Sequence, residues 1–206
     1  MALATHFFVG FIFSFFGSLT PSMLNMSALK MSIERGKKAA IWFSIGVSSV
    51  VLLQAYIAVL LTKYILENPM ILEWLEKGAV VIFIGLSIYF YGQSKKEKKK
   101  VKKEEVRGNN SFQVGIFLSL LNMFAVPFYC GVVTTLDAVG WMQFDISNTL
   151  FFVTGSALGT LCILVVYIKY SKMIQQKSGR FTKDINLVLS FLTGIVAVFT
   201  LLKFFI

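Results

Sequence analysis

Charge is missing where it would be most telling: no Asp, Glu, Lys or Arg stands in the middle of any long apolar run of this chain. A charge at the bilayer centre costs about 3 kcal/mol and, where it occurs, marks an ion path or a proton relay. Its absence argues against coupling through a buried carboxylate and leaves a bound cation without a counter-charge. Cysteine is also scarce. Cys130 and Cys162 both lie inside apolar runs and have no paired spacing, so neither a disulfide framework nor a zinc site is expected. The single histidine, His6, falls at the outer edge of the first run, so hard or borderline cations lack carboxylate and imidazole ligands. No metal, no cofactor and no enzymatic activity is expected.

What is present is hydrocarbon. Of 206 residues, 56% are hydrophobic and 15% charged, with a mean hydropathy of +0.74, beyond the range of a soluble domain with a solvated surface. Six apolar stretches cover roughly residues 5–32, 38–62, 70–92, 112–136, 147–169 and 185–206. Each has about 20 residues or more, enough to cross about 30 Å of hydrocarbon as a helix. They are continuous runs, not the ten-residue alternations of a barrel, so the expected fold is an all-α membrane protein with six transmembrane helices. The first stretch lacks a basic leader and a small-residue cleavage site, and reads as a permanent span.

The net charge of +10 raises the question of nucleic acid, but its placement answers it differently. Seventeen of the twenty basic residues fall at the first, third and fifth connections: Lys30 to Lys38, Lys95 to Arg107, and Lys169 to Lys183. The positive-inside rule makes that face cytoplasmic and puts both termini outside. The run KKEKKKVKKEEVR, residues 95–107, is either a hydrophilic linker that fixes orientation or a strip lying on anionic lipid. The expected partners are the bilayer and a small molecule, with a homo-oligomer also allowed, and not nucleic acid.

The basic stretch divides the chain into residues 1–92, a linker 93–111, and residues 112–206. The flanking parts resemble each other: Phe43-x-x-Gly46 and Phe152-x-x-Gly155 share a motif, GAVVIF from Gly78 matches GIVAVF from Gly194, and Ser18-Leu19 matches Ser119-Leu120. Three spans per part is an odd number, so the parts are expected to be two inverted three-helix repeats. Each has a proline inside its first span, Pro21 and Pro127. Interrupted helices at matching positions of inverted repeats point to a transporter with a midplane binding site.

A proline in a helix interior costs about 3 kcal/mol, and the carbonyls it frees find no water in hydrocarbon. Thr20 as N-cap and Pro21 at the first helical position would start a new half-helix whose N–H groups attract a carboxylate. Ser18, Ser22 and Asn25 form a stripe of hydrogen-bonding groups; Ser119, Asn122, Val126 and Tyr129 form its counterpart around Pro127. Gln54, Thr154, Ser156 and Thr160 are further candidates to line a path. Gly155-x-x-x-Gly159 reads as a close-approach motif between helices. Candidate substrate-binding residues are thus Ser18, Thr20, Pro21, Ser22, Asn25, Gln54, Ser119, Asn122, Pro127 and Tyr129, for a small zwitterion or anion.

Several features together carry a family resemblance: Thr20-Pro21 after an apolar run, the Arg35-Gly36-Lys37-Lys38-Ala39-Ala40 turn leading to Gly46, the Gly78 to Gly85 pattern, the basic linker, Asn122, and the closing Gly194 span. Over nearly its whole length the chain resembles the LysE/RhtB family of bacterial amino-acid exporters. Where that family has Pro-Gly-Pro this chain has Pro21-Ser22-Met23, and its Asn-Pro pair is replaced by Asn122-Met123. The resemblance implies an inner-membrane exporter of an amino acid or derivative; alternating access would come from one half rocking against the other around the midplane site. The rival readings are a membrane scaffold or partner subunit, and a thiol-disulfide carrier. The carrier is disfavoured because both cysteines belong to the second part.

Overall fold

The computed structural model describes residues 3–20, 22–68, 70–71, 84–85, 88, 110–122 and 124–174. Among them all regular structure is helical: α1 (Leu3–Gly17), α2 (Met23–Glu34), α3 (Lys37–Glu67), α4 (Ser111–Leu120), α5 (Ala125–Ala138) and α6 (Ile146–Lys169). These six helices are not the six expected spans. The first and fourth spans are each split in two, and the third and sixth lie outside the described residues apart from a few isolated positions. The chain clusters into two compact units, Met1–Tyr64 with Val106–Gln175 and Ile65–Glu105 with Gln176–Ile206. The first unit therefore draws helices from both sides of the basic stretch.

At 31 and 24 residues, α3 and α6 are about 46 Å and about 36 Å long. Both are apolar enough to cross a membrane, as are α4 and α5 taken together as one bent span. Phe43 and Val47 of α3, Tyr129, Val133 and Leu136 of α5, and Phe152 and Leu164 of α6 belong to one buried cluster. Phe8, Phe16, Trp42, Leu53, Leu60 and Leu150 point outward. An apolar exterior around a close-packed core is what a bilayer solvent selects. At the turn between α2 and α3, Gly36 has φ +89°, a conformation that favours glycine.

Two helix pairs approach closely enough to exclude side chains. A Cβ on Gly10 of α1 would run into the Phe152 carbonyl oxygen of α6, and one on Gly155 into that of Phe7. One turn further on, Gly159 meets the Phe11 carbonyl in the same way. In the second pair, a Cβ on Gly46 of α3 would strike the Phe112 carbonyl of α4, and one on Gly115 that of Phe43. The α-hydrogen of each glycine therefore faces a carbonyl, a Cα–H···O arrangement known from packed membrane helices. Contact positions rise together along both members of each pair (Gly10 then Ser14 against Ser156 then Thr160; Phe43 then Gln54 against Gly115 then Ser119), so the paired helices are parallel.

At the other end of α6, Asp145 is the N-cap. Its carboxylate accepts from the Ser147 and Asn148 backbone N–H groups, each at 3.1 Å, and from the Asn148 side chain. His6, expected at the outer edge, is buried against this loop: its Nε2 accepts the Gln143 N–H at 3.3 Å. The backbone and side-chain bonds from Asn148, with that from Ser147, hold the exposed Asp145 carboxyl below its ordinary range. A carboxyl held low stabilises the fold fully above the ordinary aspartate value of about 3.9 and loses that contribution as pH falls through its folded value. Asp145→Asn is expected to flatten the loss of thermal stability below about pH 4. An unchanged acid slope would count against this cap.

Candidate functional site

Both proline-bearing spans are interrupted, and each interruption has a local cause. Glycine ends α1 at Gly17, and a residue ahead of proline, here Thr20, is biased away from helix. The chain resumes at Met23 with Ser22 as N-cap (φ −108°, ψ 171°), its Oγ accepting the Asn25 N–H at 3.3 Å. The cap is thus Ser22 and not Thr20, because the extended backbone that frees a hydroxyl to bond the third N–H occurs at Ser22. Pro21 lies outside the described residues.

In the second interruption α4 closes at Leu120, and α5 opens at Ala125 with Phe124 as an N-cap that makes no side-chain bond. The axes bend by 64°. Pro127 is the third residue of α5, where its missing N–H costs nothing, and it is exposed. The break therefore precedes the proline instead of surrounding it.

Ser18, Ser22 and Asn25 do not share a helical face, since the helix is broken between them. They meet through the backbone instead. Asn25, 2% exposed, donates its Nδ2 to the Ser18 and Thr20 carbonyls at 2.7 and 2.8 Å. The Leu19 carbonyl between them accepts from the Tyr167 hydroxyl of α6 at 2.8 Å. Gln54 of α3 is buried and donates Nε2 to the Ser119 carbonyl at 3.0 Å, beside the second break. The Ser119 Oγ donates to the Val47 carbonyl at 3.4 Å. Asn122 lies in the break itself, half-buried.

The two breaks are neighbours. Tyr129, in the second turn of α5, shares a 2.9 Å hydrogen bond with Ser14 near the end of α1, and Ser14 Oγ lies 2.7 Å from Thr160 Oγ1 of α6. All three hydroxyls are buried. One turn beyond Ser14, a Cβ on Gly17 would enter the Phe128 ring. Of the other candidates, Ser156 is buried against Gly10, whereas Thr154 is exposed and donates back to its own Leu150 carbonyl at 2.7 Å.

Sequence reasoning missed Ser14 and Tyr167. A signal for Ser14 does exist: Phe7-x-Val9-Gly10-x-x-x-Ser14 and Phe112-x-Val114-Gly115-x-x-x-Ser119 are the same pattern. Measured from the crossing glycines, Ser119 corresponds to Ser14 and not to Ser18. Tyr167 had no such signal, because a tyrosine near a span end reads equally well as an interfacial anchor.

The described residues contain no group of three or more His, Cys, Asp or Glu that could hold a metal ion. The arrangement offers hydroxyls, amides and a helix N-terminus in an apolar surround, suited to binding a small polar molecule. Comparison with curated proteins and with solved structures gives no match. The family model for LysE type translocators matches residues 15–203, nearly the whole chain. The chain belongs to the LysE type translocator family and is a membrane transport protein.

Proposed function

We propose that the protein is an inner-membrane secondary exporter of a small zwitterionic or anionic metabolite, an amino acid or a derivative, working by alternating access around the two helix breaks. In this reading residues 1–92 and 112–206 are inverted three-helix repeats joined by the basic cytoplasmic linker 93–111, six spans in all, with both termini outside. The adjacency of the breaks carries the reading: Ser14 bonds Tyr129, so the ends of two interrupted helices share one polar neighbourhood. The glycine crossings support it too. Each joins a helix before the linker to one after it through Phe-x-x-Gly motifs, as a two-fold relation between repeats would require.

The test is efflux from proteoliposomes loaded with labelled amino acids. A hydrogen bond to a charged group is worth about 1.5–3 kcal/mol, so Asn122→Ala is expected to slow efflux of the carried amino acid about tenfold or more. Equal efflux by the parent and by protein-free liposomes would refute the export reading.

A further inference from the structure

The two breaks are unlike in what their polar groups do. At the first, each carbonyl from Ser18 to Thr20 already accepts a hydrogen bond from within the protein, two from Asn25 and one from Tyr167, and Ser22 caps α2. At the second, three groups are unspent among the described residues. Phe124 supplies no side-chain cap to α5. The Asn122 side-chain amide makes no hydrogen bond, and Gln54 Oε1, on a residue only 7% exposed, has no partner.

The Gln54 amide cannot be turned around to satisfy that oxygen. Its Nε2 faces the Ser119 carbonyl at 3.0 Å, and a carbonyl can only accept. The same Ser119 carbonyl accepts the Asn122 N–H at 3.0 Å, which places the Gln54 amide at the break itself. A buried acceptor left unmet is unfavourable, and the arrival of a donor removes that cost. The opening of α5 complements it. Its dipole end favours negative charge; the Ala125 N–H already donates to the Asn122 carbonyl at 3.4 Å and Pro127 has none, so of the first three residues Val126 is the one whose N–H can face an anion.

We infer that the second break alone holds the cargo's polar head, with Gln54 Oε1 accepting from its ammonium group and the uncapped start of α5, with Asn122, facing its carboxylate. This rests on the export reading and narrows it. A neutral acceptor beside a helix dipole, with no protein charge among these groups, suits a molecule whose own two charges lie a few ångströms apart, as in an α-amino acid. A carboxylate without the amine leaves Gln54 Oε1 unmet. The first break, closed by the protein's own side chains, is a structural joint.

The experiment compares, in proteoliposomes, the amino acid that the parent protein carries fastest with its 2-oxo acid and its N-acetyl derivative. The parent is expected to prefer the free amino acid about tenfold or more. Gln54→Met, similar in volume but without the acceptor, is expected to bring the three rates together by slowing the amino acid. Ser22→Ala at the first break should change all three rates alike. A preference that survives in Gln54→Met, one that is lost in Ser22→Ala, or a parent that carries the 2-oxo acid equally well overturns the inference while leaving export intact. Absence of efflux for every solute refutes export itself.

Discussion

Gly155→Ala is expected to lower the melting temperature by about 10 °C or more, whereas Gly131→Ala is expected to leave it unchanged or raise it slightly. The chemical change is the same, one methyl on a helical glycine. At Gly155 the methyl would collide with the Phe7 carbonyl and crowd Phe11 N, which are backbone atoms of α1 and cannot rotate away. Overpacking costs about 1–3 kcal/mol when side chains can adjust, and a forced separation of two helix backbones belongs at or above the upper end. In a protein of this size about 1 kcal/mol corresponds to about 2–4 °C. At Gly131 of α5 nothing lies within 4 Å, and alanine's higher helix propensity, up to about 1 kcal/mol, is the only effect left. Thermal denaturation of the two purified variants in one detergent decides the matter. Equal shifts would mean that the α1–α6 crossing is not a close backbone contact.

Asn25→Leu carries the second large effect. It preserves volume but removes both hydrogen bonds that Asn25 makes to the Ser18 and Thr20 carbonyls. Each carbonyl left unmet in an apolar surround costs about 1–3 kcal/mol, so a loss of about 2 kcal/mol or more is expected. That is a large part of a typical total of about 5–15 kcal/mol. Tyr167→Phe removes one bond, to the Leu19 carbonyl, and interhelical bonds in membranes average about 0.6 kcal/mol. The ordering is the prediction: Asn25→Leu should be several times more damaging than Tyr167→Phe in both stability and efflux. If the tyrosine variant is the worse one, the joint is held by α6 and not by α2.

The expected spans 38–62 and 147–169 fall within α3 and coincide closely with α6, because an apolar run bounded by charges is limited by the cost of burying those charges. Both interruptions were announced by proline, but with different precision. Pro21 lies within the first gap between helices, whereas Pro127 follows the second, since a first helical turn has no use for that N–H. The close approach of Gly155 and Gly159 was readable from their spacing, but their partners were not. Phe7 and Phe11 lie 148 positions away, and no local pattern encodes which helix fills a groove. The closure of the first break was hidden for the same reason: Asn25 could be seen as polar and Thr20 as a cap, but which carbonyls need a donor follows only from the path of the chain.

Water access to the breaks tests the account most directly. In a Cys130→Ser/Cys162→Ser background, single Thr20→Cys and Leu121→Cys variants in sealed vesicles are treated with a membrane-impermeant thiol reagent. Both positions are exposed in the structure, and if the breaks border a solute path both should react, with the carried amino acid in excess slowing the reaction at Leu121→Cys. Labelling at neither position, with full reaction after the membrane is dissolved in detergent, would place both breaks in lipid and contradict the account.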